Sequence, residues 1–270
     1  MLVVLRRESA LHLALAAMGP KQFLVYNWAA WAYMLQNIIG MVAFVYFWRS
    51  VYTDTQSIAG LTLGATLTYI LLARVFEPLA DLSLVLDFGW GLSEGGLALE
   101  LVRPIDMQLA YYVLGLGNLA AALVRQLPAV LLASFAFGLQ WPTDPAVWAV
   151  FLLSALIGRS VIFCLDWILG CLTFYTTEVW GLWGAAKAVA LFLTGGLLPL
   201  AMLPDWLRGI VQTSPFAQAI YWPISLLSGL TPLGEAPRVL LVQAVWLAAL
   251  VVLSRWFFGI AVRRITVQGG

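Results

Sequence analysis

The chain has 270 residues, of which 63% are hydrophobic and 10% charged, with a formal net charge of +1 at pH 7. Soluble domains carry about 25% charged residues, so this composition, with a mean hydropathy of +0.94, specifies a polytopic membrane protein and gives no basic field for nucleic acid. Lysine occurs only at Lys21 and Lys187, and neither sits in a G-x-x-x-x-G-K-[ST] loop, so no phosphate loop for ATP can be drawn.

Residues 1–27 place Arg6, Arg7 and Lys21 around Leu11, Leu13 and Leu15, and Gly19-Pro20 breaks the run. This pattern predicts an interfacial helix lying in the membrane plane. Its charges follow the first apolar residues, and Glu8, Ser9 and His12 interrupt the apolar run, so it reads as retained rather than as a cleaved signal. Residues 28–77 hold two predicted spans. The first, Trp28 to Trp48, carries tryptophan at both ends, as interfacial belts do. Gln36 and Asn37 lie at its middle, suited to interhelical hydrogen bonds or, on a second reading, to a substrate path. The second runs from Ile58 to Val75 and closes on Arg74, Glu77 and Pro78.

Residues 78–107 break the apolar pattern. The stretch from Leu82 to Gln108 holds four glycines together with Asp87, Glu94, Glu100, Arg103 and Asp106. Leu97, Leu101 and Val102 recur at helical spacing, with Glu94 and Glu100 elsewhere on the turn. Pro104 ends that helix near Arg103. A short amphipathic helix of this kind lies on lipid headgroups or docks a soluble partner.

Residues 108–173 contain the third and fourth spans. Leu109 to Leu139 exceeds the roughly 20 residues needed to cross a bilayer, so it tilts or begins along the surface. A turn, Gln140 to Pro145, leads to the fourth span, Ala146 to Thr173. Arg125, Arg159 and Asp166 fall inside these spans, where charges are costly and are paired, or line a path. Arg159 and Asp166 are two turns apart on one face, too far for a direct pair within a straight helix. Cys164 and Cys171 are about 10.5 Å apart along the same helix, beyond disulfide reach, and read as small packing residues.

Residues 174–237 begin with Glu178 and Lys187 near a turn and a fifth span, Trp183 to Leu203, interrupted by Gly195, Gly196 and Pro199. From Pro204 to Gly234 the chain is apolar but broken by Pro204, Pro215, Pro223 and Pro232 into pieces too short to span. They predict re-entrant helices that dip into the membrane and return, presenting Trp206, Phe216, Tyr221 and Trp222. Residues 238–260 form the last span, Arg238 to Ile260, and residues 261–270 a basic tail with Arg263 and Arg264.

Six spans put both termini on one side. With the termini inside, Arg6, Arg7, Lys21, Arg74, Arg103, Lys187, Arg263 and Arg264 are cytoplasmic, against Arg49, Arg208 and Arg238 outside, which satisfies the positive-inside rule. The stretch around Glu94 is then cytoplasmic and the proline-broken block external.

This order of elements resembles the permease subunits of ABC-2 type exporters, in the six-span branch of about this length. Three places carry the resemblance: Gly95-Gly96 through Leu97, Leu101, Arg103, Pro104 and Ile105; Gly196 through Pro199 and Leu203-Pro204 to Ser214-Pro215-Phe216; and the tail from Arg263. Gly89-Trp90-Gly91 departs from the pattern and leaves the start of the docking helix open. The resemblance implies an all-α fold of six transmembrane helices with a cytoplasmic coupling helix between spans two and three. Outer re-entrant helices follow between spans five and six.

It further implies a dimer with a second permease, a different one favoured. Two soluble ABC ATPases bearing ATP and Mg would dock on Asp87, Glu94, Gly95, Leu97, Glu100, Leu101, Arg103 and Pro104, with Leu97 and Leu101 entering an ATPase groove. The exit gate would involve Gly195, Gly196, Pro199, Pro204, Trp206, Pro215, Phe216 and Trp222. The setting would be a prokaryotic inner membrane and the cargo lipid-like, glycan, drug or peptide. The chain itself would be no enzyme and would hold no metal.

Two other classes stand beside this one. An ion-coupled transporter or channel would centre on Gln36, Asn37, Arg125, Arg159 and Asp166. An intramembrane enzyme would need a nucleophile with a base, or metal ligands, and His12 is the only histidine.

Overall fold

The computed structural model describes residues 27–268 apart from 103, 140 and 177. The expected interfacial helix, His12, Arg103 and the last two residues lie outside the described residues. The fold is helical and polytopic, and among the described residues four stretches are long and apolar enough to cross a membrane: Met34–Val51, Met107–Ala136, Pro145–Leu172 and Leu233–Arg264.

Helix α1 (Asn27–Val51) matches the first expected span. The second departs from expectation. Ser57–Ile58 and Leu61–Thr62 pair as an antiparallel hairpin, with Ser57 opposite Thr62. Ala59 and Gly60 both take positive φ at its tip, the primed turn that a two-residue hairpin requires. Thr62 then caps α2 (Leu63–Val75), its side chain accepting from the Ala65 N–H. At 13 residues, α2 is about 20 Å long, short of the roughly 30 Å hydrocarbon core. Sequence hydrophobicity had merged a turn with a helix.

Helices α3 (Leu84–Ser93) and α4 (Gly96–Leu101) follow, separated at Gly95, whose φ of 72° is the left-handed turn that glycine allows. Helix α3 runs unbroken through Gly89 and Gly91, the positions that left its start open in the sequence. The third expected span is two helices, α5 (Met107–Arg125) and α6 (Leu127–Ala136), because Pro128 cannot donate into the ladder at their junction. Helix α7 (Pro145–Leu172) fits the fourth span within a residue, with Asp144 capping it through the Ala146 N–H. Helix α8 (Val179–Leu193) starts before and ends well short of the expected fifth span, and the chain reverses through Gly195 at φ 80°.

The proline-broken block is short helices, as expected: α9 (Asp205–Thr213) and α10 (Tyr221–Leu227). Helix α11 (Ala236–Gln268) continues through most of the residues expected as a tail.

Two cores result. The larger joins α1, α2, α6, α7, α8 and the α9–α10 block around Met41, Tyr69, Leu72, Phe151 and Ile220. The smaller joins α3, α4, α5, α7 and α11 around Phe88, Leu97, Trp167 and Ala261. Cys164 and Cys171 are buried and free.

Candidate functional site: the α3–α4 segment and its seat

Helix α3 turns Leu84, Val85, Phe88 and Gly89 inward. Phe88 is fully buried, edge-on to Trp167 at 5.0 Å and to Tyr111 at 5.4 Å, and stacked on Phe174 at 5.9 Å. Small residues make the close approach: a Cβ on Gly170 of α7 would meet the Phe88 ring at 2.9 Å, and one on Gly89 would meet Val179 of α8 at 2.5 Å. Gly89 is therefore a packing residue that wedges α3 between α7 and α8.

The chain enters α3 through residues 81–84, a linker where the backbone groups left without helical partners are met by side chains. The Arg159 guanidinium of α7 donates to the Asp81 carbonyl at 3.0 Å. The Trp183 indole of α8 donates to the Leu82 carbonyl at 2.9 Å. The Asp166 carboxylate of α7 accepts from the Ser83 and Leu84 N–H groups, both at 3.1 Å. Asp166 thus performs the capping that Ser83 does not. Lys187 of α8 holds the Asp81 side chain at 3.6 Å and rides over the Trp183 ring at 5.8 Å. Arg159 and Asp166, on one face of α7, bond the linker backbone rather than each other.

The outward face differs from the one expected. Leu97 is buried at 1% exposure, and Leu101 packs beside it against the Phe88 cluster, so neither is free to enter a partner groove. Leu99, two positions on and across the helix, is 70% exposed, and Val102 is 83% exposed. Trp90 is also exposed, in edge contact with exposed Trp180 at 5.9 Å. Asp87, Glu94, Gly95 and Pro104 are exposed among them. Glu100 is half-buried and accepts from the Tyr111 hydroxyl at 2.7 Å. Partial loss of hydration against the fold pushes the Asp87 carboxyl up to about 6, with the Asp81 and Glu100 carboxylates adding to the rise. Trp90, Leu99 and Trp180 went unsingled in the sequence. The signal that could have found Leu99 is its two-residue offset from Leu97, which puts the two on opposite faces of any helix.

At the other end of α4, Asp106 caps α5 through the Leu109 N–H at 2.8 Å and pairs with Arg255 of α11. Burial alone would raise the Asp106 carboxyl, but the Arg255 and Leu109 bonds together hold it below the ordinary carboxylate range. Gln108 donates to Ser254 at 2.8 Å. Arg255 lies inside the last apolar helix, about half exposed, and the sequence did not mark it as a partner of Asp106.

The remaining candidates do not converge on one path. Asn37 donates to Gln126 at the α5–α6 junction, Gln36 faces outward, and Arg125 is half-buried on α5. Gly195 and Pro199 are buried, Gly196, Pro215, Phe216 and Trp222 half-buried, and Pro204 and Trp206 exposed. The block they belong to is knitted inward. Tyr69 donates to the Gly195 carbonyl at 2.9 Å, the Tyr221 N–H to the Thr194 carbonyl at 2.9 Å, and Trp246 to the Thr213 carbonyl at 2.7 Å. A cavity of about 250 Å³ between α2 and α8 reaches this block, lined by Arg74, Glu77, Lys187, Thr194, Gly196 and Ile220 among others. Among the described residues no cluster of histidine, cysteine or carboxylate side chains could hold a metal ion.

A search of curated proteins finds no match. A family model described as "ABC-2 family transporter protein" matches residues 37–269, which include every element of the described fold except the first turns of α1. The chain belongs to the ABC-2 family of transporter proteins.

Proposed function

We propose that the chain is the permease subunit of an ATP-driven exporter and that the exposed face of α3–α4 is where its ATPase docks. Family membership makes it a membrane transport component that works with an ABC ATPase and carries no ATPase site of its own. The observation that carries the docking reading is the two-faced α3–α4 segment. Its inner face is locked into the helices, and its outer face offers Trp90, Leu99 and Val102 among the carboxylates Asp87 and Glu94. Such a surface suits a groove in a soluble partner, apolar at the centre and charged at the rim.

In this reading ATP and Mg stay on two copies of the ATPase, and a second permease, preferably a different one, completes the complex. The apolar helices make six crossings, with α2 and α8 completed by their flanking turns. Both termini face the cytoplasm of a prokaryotic cell, across the inner membrane. The α9–α10 block and the end of α8 form the outer gate. The cargo, from the lipid-like, glycan, drug or peptide classes, moves outward. ATP closes the ATPase pair, and the docked segment carries that motion into the spans.

The test is reconstitution of the permease with the ATPase that co-purifies from its native membrane. Vesicle export that requires ATP and survives collapse of ion gradients supports the reading. Export driven by an ion gradient without the ATPase overturns it in favour of a secondary transporter.

A further inference from the structure

The geometry points to the linker 81–84 as the rigid joint that transmits motion from the α3–α4 segment to α7 and α8, with Asp166, Arg159, Trp183 and Lys187 as its positioning residues. The inference rests on the docking reading above and adds to it the route of the movement.

The linker leads the chain into α3, which packs directly on α7 and α8. A linker free to bend would absorb displacement of α3. This one is bonded at four consecutive residues: Asp81 by Arg159 and Lys187, Leu82 by Trp183, and Ser83 and Leu84 by Asp166. Its Leu82 side chain is fully buried as well. The bonds come from two helices, so a shift of α3 moves α7 and α8 together. Helix α7 in turn meets the outer block directly. A Cβ on Gly158 would meet the Ala219 Cα at 3.2 Å, and Gln243 of α11 bridges the Ser154 carbonyl of α7 to the Gln218 carbonyl at 3.2 and 3.0 Å. Helix α8 is capped at Thr194, whose carbonyl takes the Tyr221 N–H at 2.9 Å. One joint at the inner end is thus connected through two stiff helices to both sides of the outer block.

Asp166 and Arg159 suit this task because they bond backbone. Asp166 offers an acceptor to two N–H groups that would otherwise be unmet at a buried helix start, and Arg159 offers a donor to a carbonyl outside any ladder.

The experiment uses the complete complex in vesicles, with a polarity-sensitive dye on Gly209→Cys of α9, where nothing lies within 4 Å of an added Cβ. The buried native cysteines are spared by an impermeant reagent. Three quantities are read: ATPase co-purification, ATP hydrolysis, and the change in dye signal on adding ATP. In Asp166→Ala and in Lys187→Gln the expected result is unchanged ATPase binding and continued hydrolysis, with the dye response reduced about fivefold or more. Asp166→Asn, which keeps an acceptor oxygen, retains most of the response. Hydrogen exchange at the Ser83 and Leu84 amides speeds up about tenfold or more in Asp166→Ala, as loss of the acceptor they share requires.

Wild-type dye response in both Asp166→Ala and Lys187→Gln overturns the inference. Lys187→Gln keeps it falsifiable if Asp166→Ala does not fold, because the Lys187 pair is only half-buried. A wild-type complex that binds the ATPase but shows no ATP-dependent dye change refutes the joint. A wild-type chain that binds no ATPase refutes the docking reading itself.

Discussion

Leucine 97 and Leu99 are two residues apart, yet replacing each should produce opposite failures. Leu97 is 1% exposed and sits in the cluster with Phe88 and Trp167, so Leu97→Ala leaves a cavity. The cost is about 2–5 kcal/mol, a large share of a domain's usual margin of about 5–15 kcal/mol. Leu99 is 70% exposed, so Leu99→Asp changes the fold's stability by only about 0.5 kcal/mol. Pressed into an apolar groove of an ATPase, however, an unpaired aspartate costs several kcal/mol, against about 8 kcal/mol for a micromolar contact. Adding Val102→Asp, at 83% exposure, removes what remains. The assays are thermal melting of the detergent-purified permease and co-purification of the ATPase. Leu97→Ala should melt early while its folded fraction still binds. Leu99→Asp with Val102→Asp should melt like wild type and lose the ATPase. Wild-type binding by that double variant would refute the docking face, and an unchanged melt for Leu97→Ala would refute the packing argument beneath it.

Single cysteines at Thr55, Asp144 and Glu235 should label from outside with an impermeant reagent and one at Glu94 should not; outside labelling at Glu94 would reverse the orientation and remove the docking argument. Gly170→Ala should push the Phe88 ring or the Leu84 carbonyl away and lower stability by about 1–3 kcal/mol, read as an earlier melt. The Asp87 carboxyl is raised to about 6, so the folded chain holds that proton more tightly than the unfolded chain does, and the associated stability is lost as pH rises through about 6. Asp87→Asn should therefore melt above wild type at neutral pH, with the difference closing as pH falls toward 3.8, and a constant difference across pH would contradict the assignment.

The long apolar helices were legible because length and hydrophobicity alone define them: Pro145–Leu172 falls within a residue of its expected bounds. The proline-broken block was legible because each proline removes a donor and caps the length of any helix through it. The shorter crossings were not. Ile58 is apolar enough to belong to a span, and only the Ala59-Gly60 turn, a conformation that hydropathy does not register, separates it from α2. Leu97 and Leu101 were read as a free apolar face because periodicity reports that a helix has such a face and not which neighbour it meets. The neighbours here are Phe88, Trp167 and Tyr111, from three other parts of the chain.

The buried charges show the same limit in its sharpest form. Arg159 and Asp166 invited a reading as partners or as a polar path, since a charge in a span is normally answered by another side chain or by water. Their partners are the carbonyl of Asp81 and the N–H groups of Ser83 and Leu84, which every residue type carries and which no sequence pattern can mark. The physical need is nevertheless specific. Non-helical backbone packed against spans must have its donors and acceptors met by protein. A carboxylate and a guanidinium supply an acceptor and a donor at a reach that short side chains lack. An ion-conducting path would require these groups to be open to water and to exchange partners. Here both are almost wholly buried, at 2% and 6% exposure, and are committed to fixed backbone atoms. Their cost in the membrane is therefore better explained by the linker they hold than by anything passing between them.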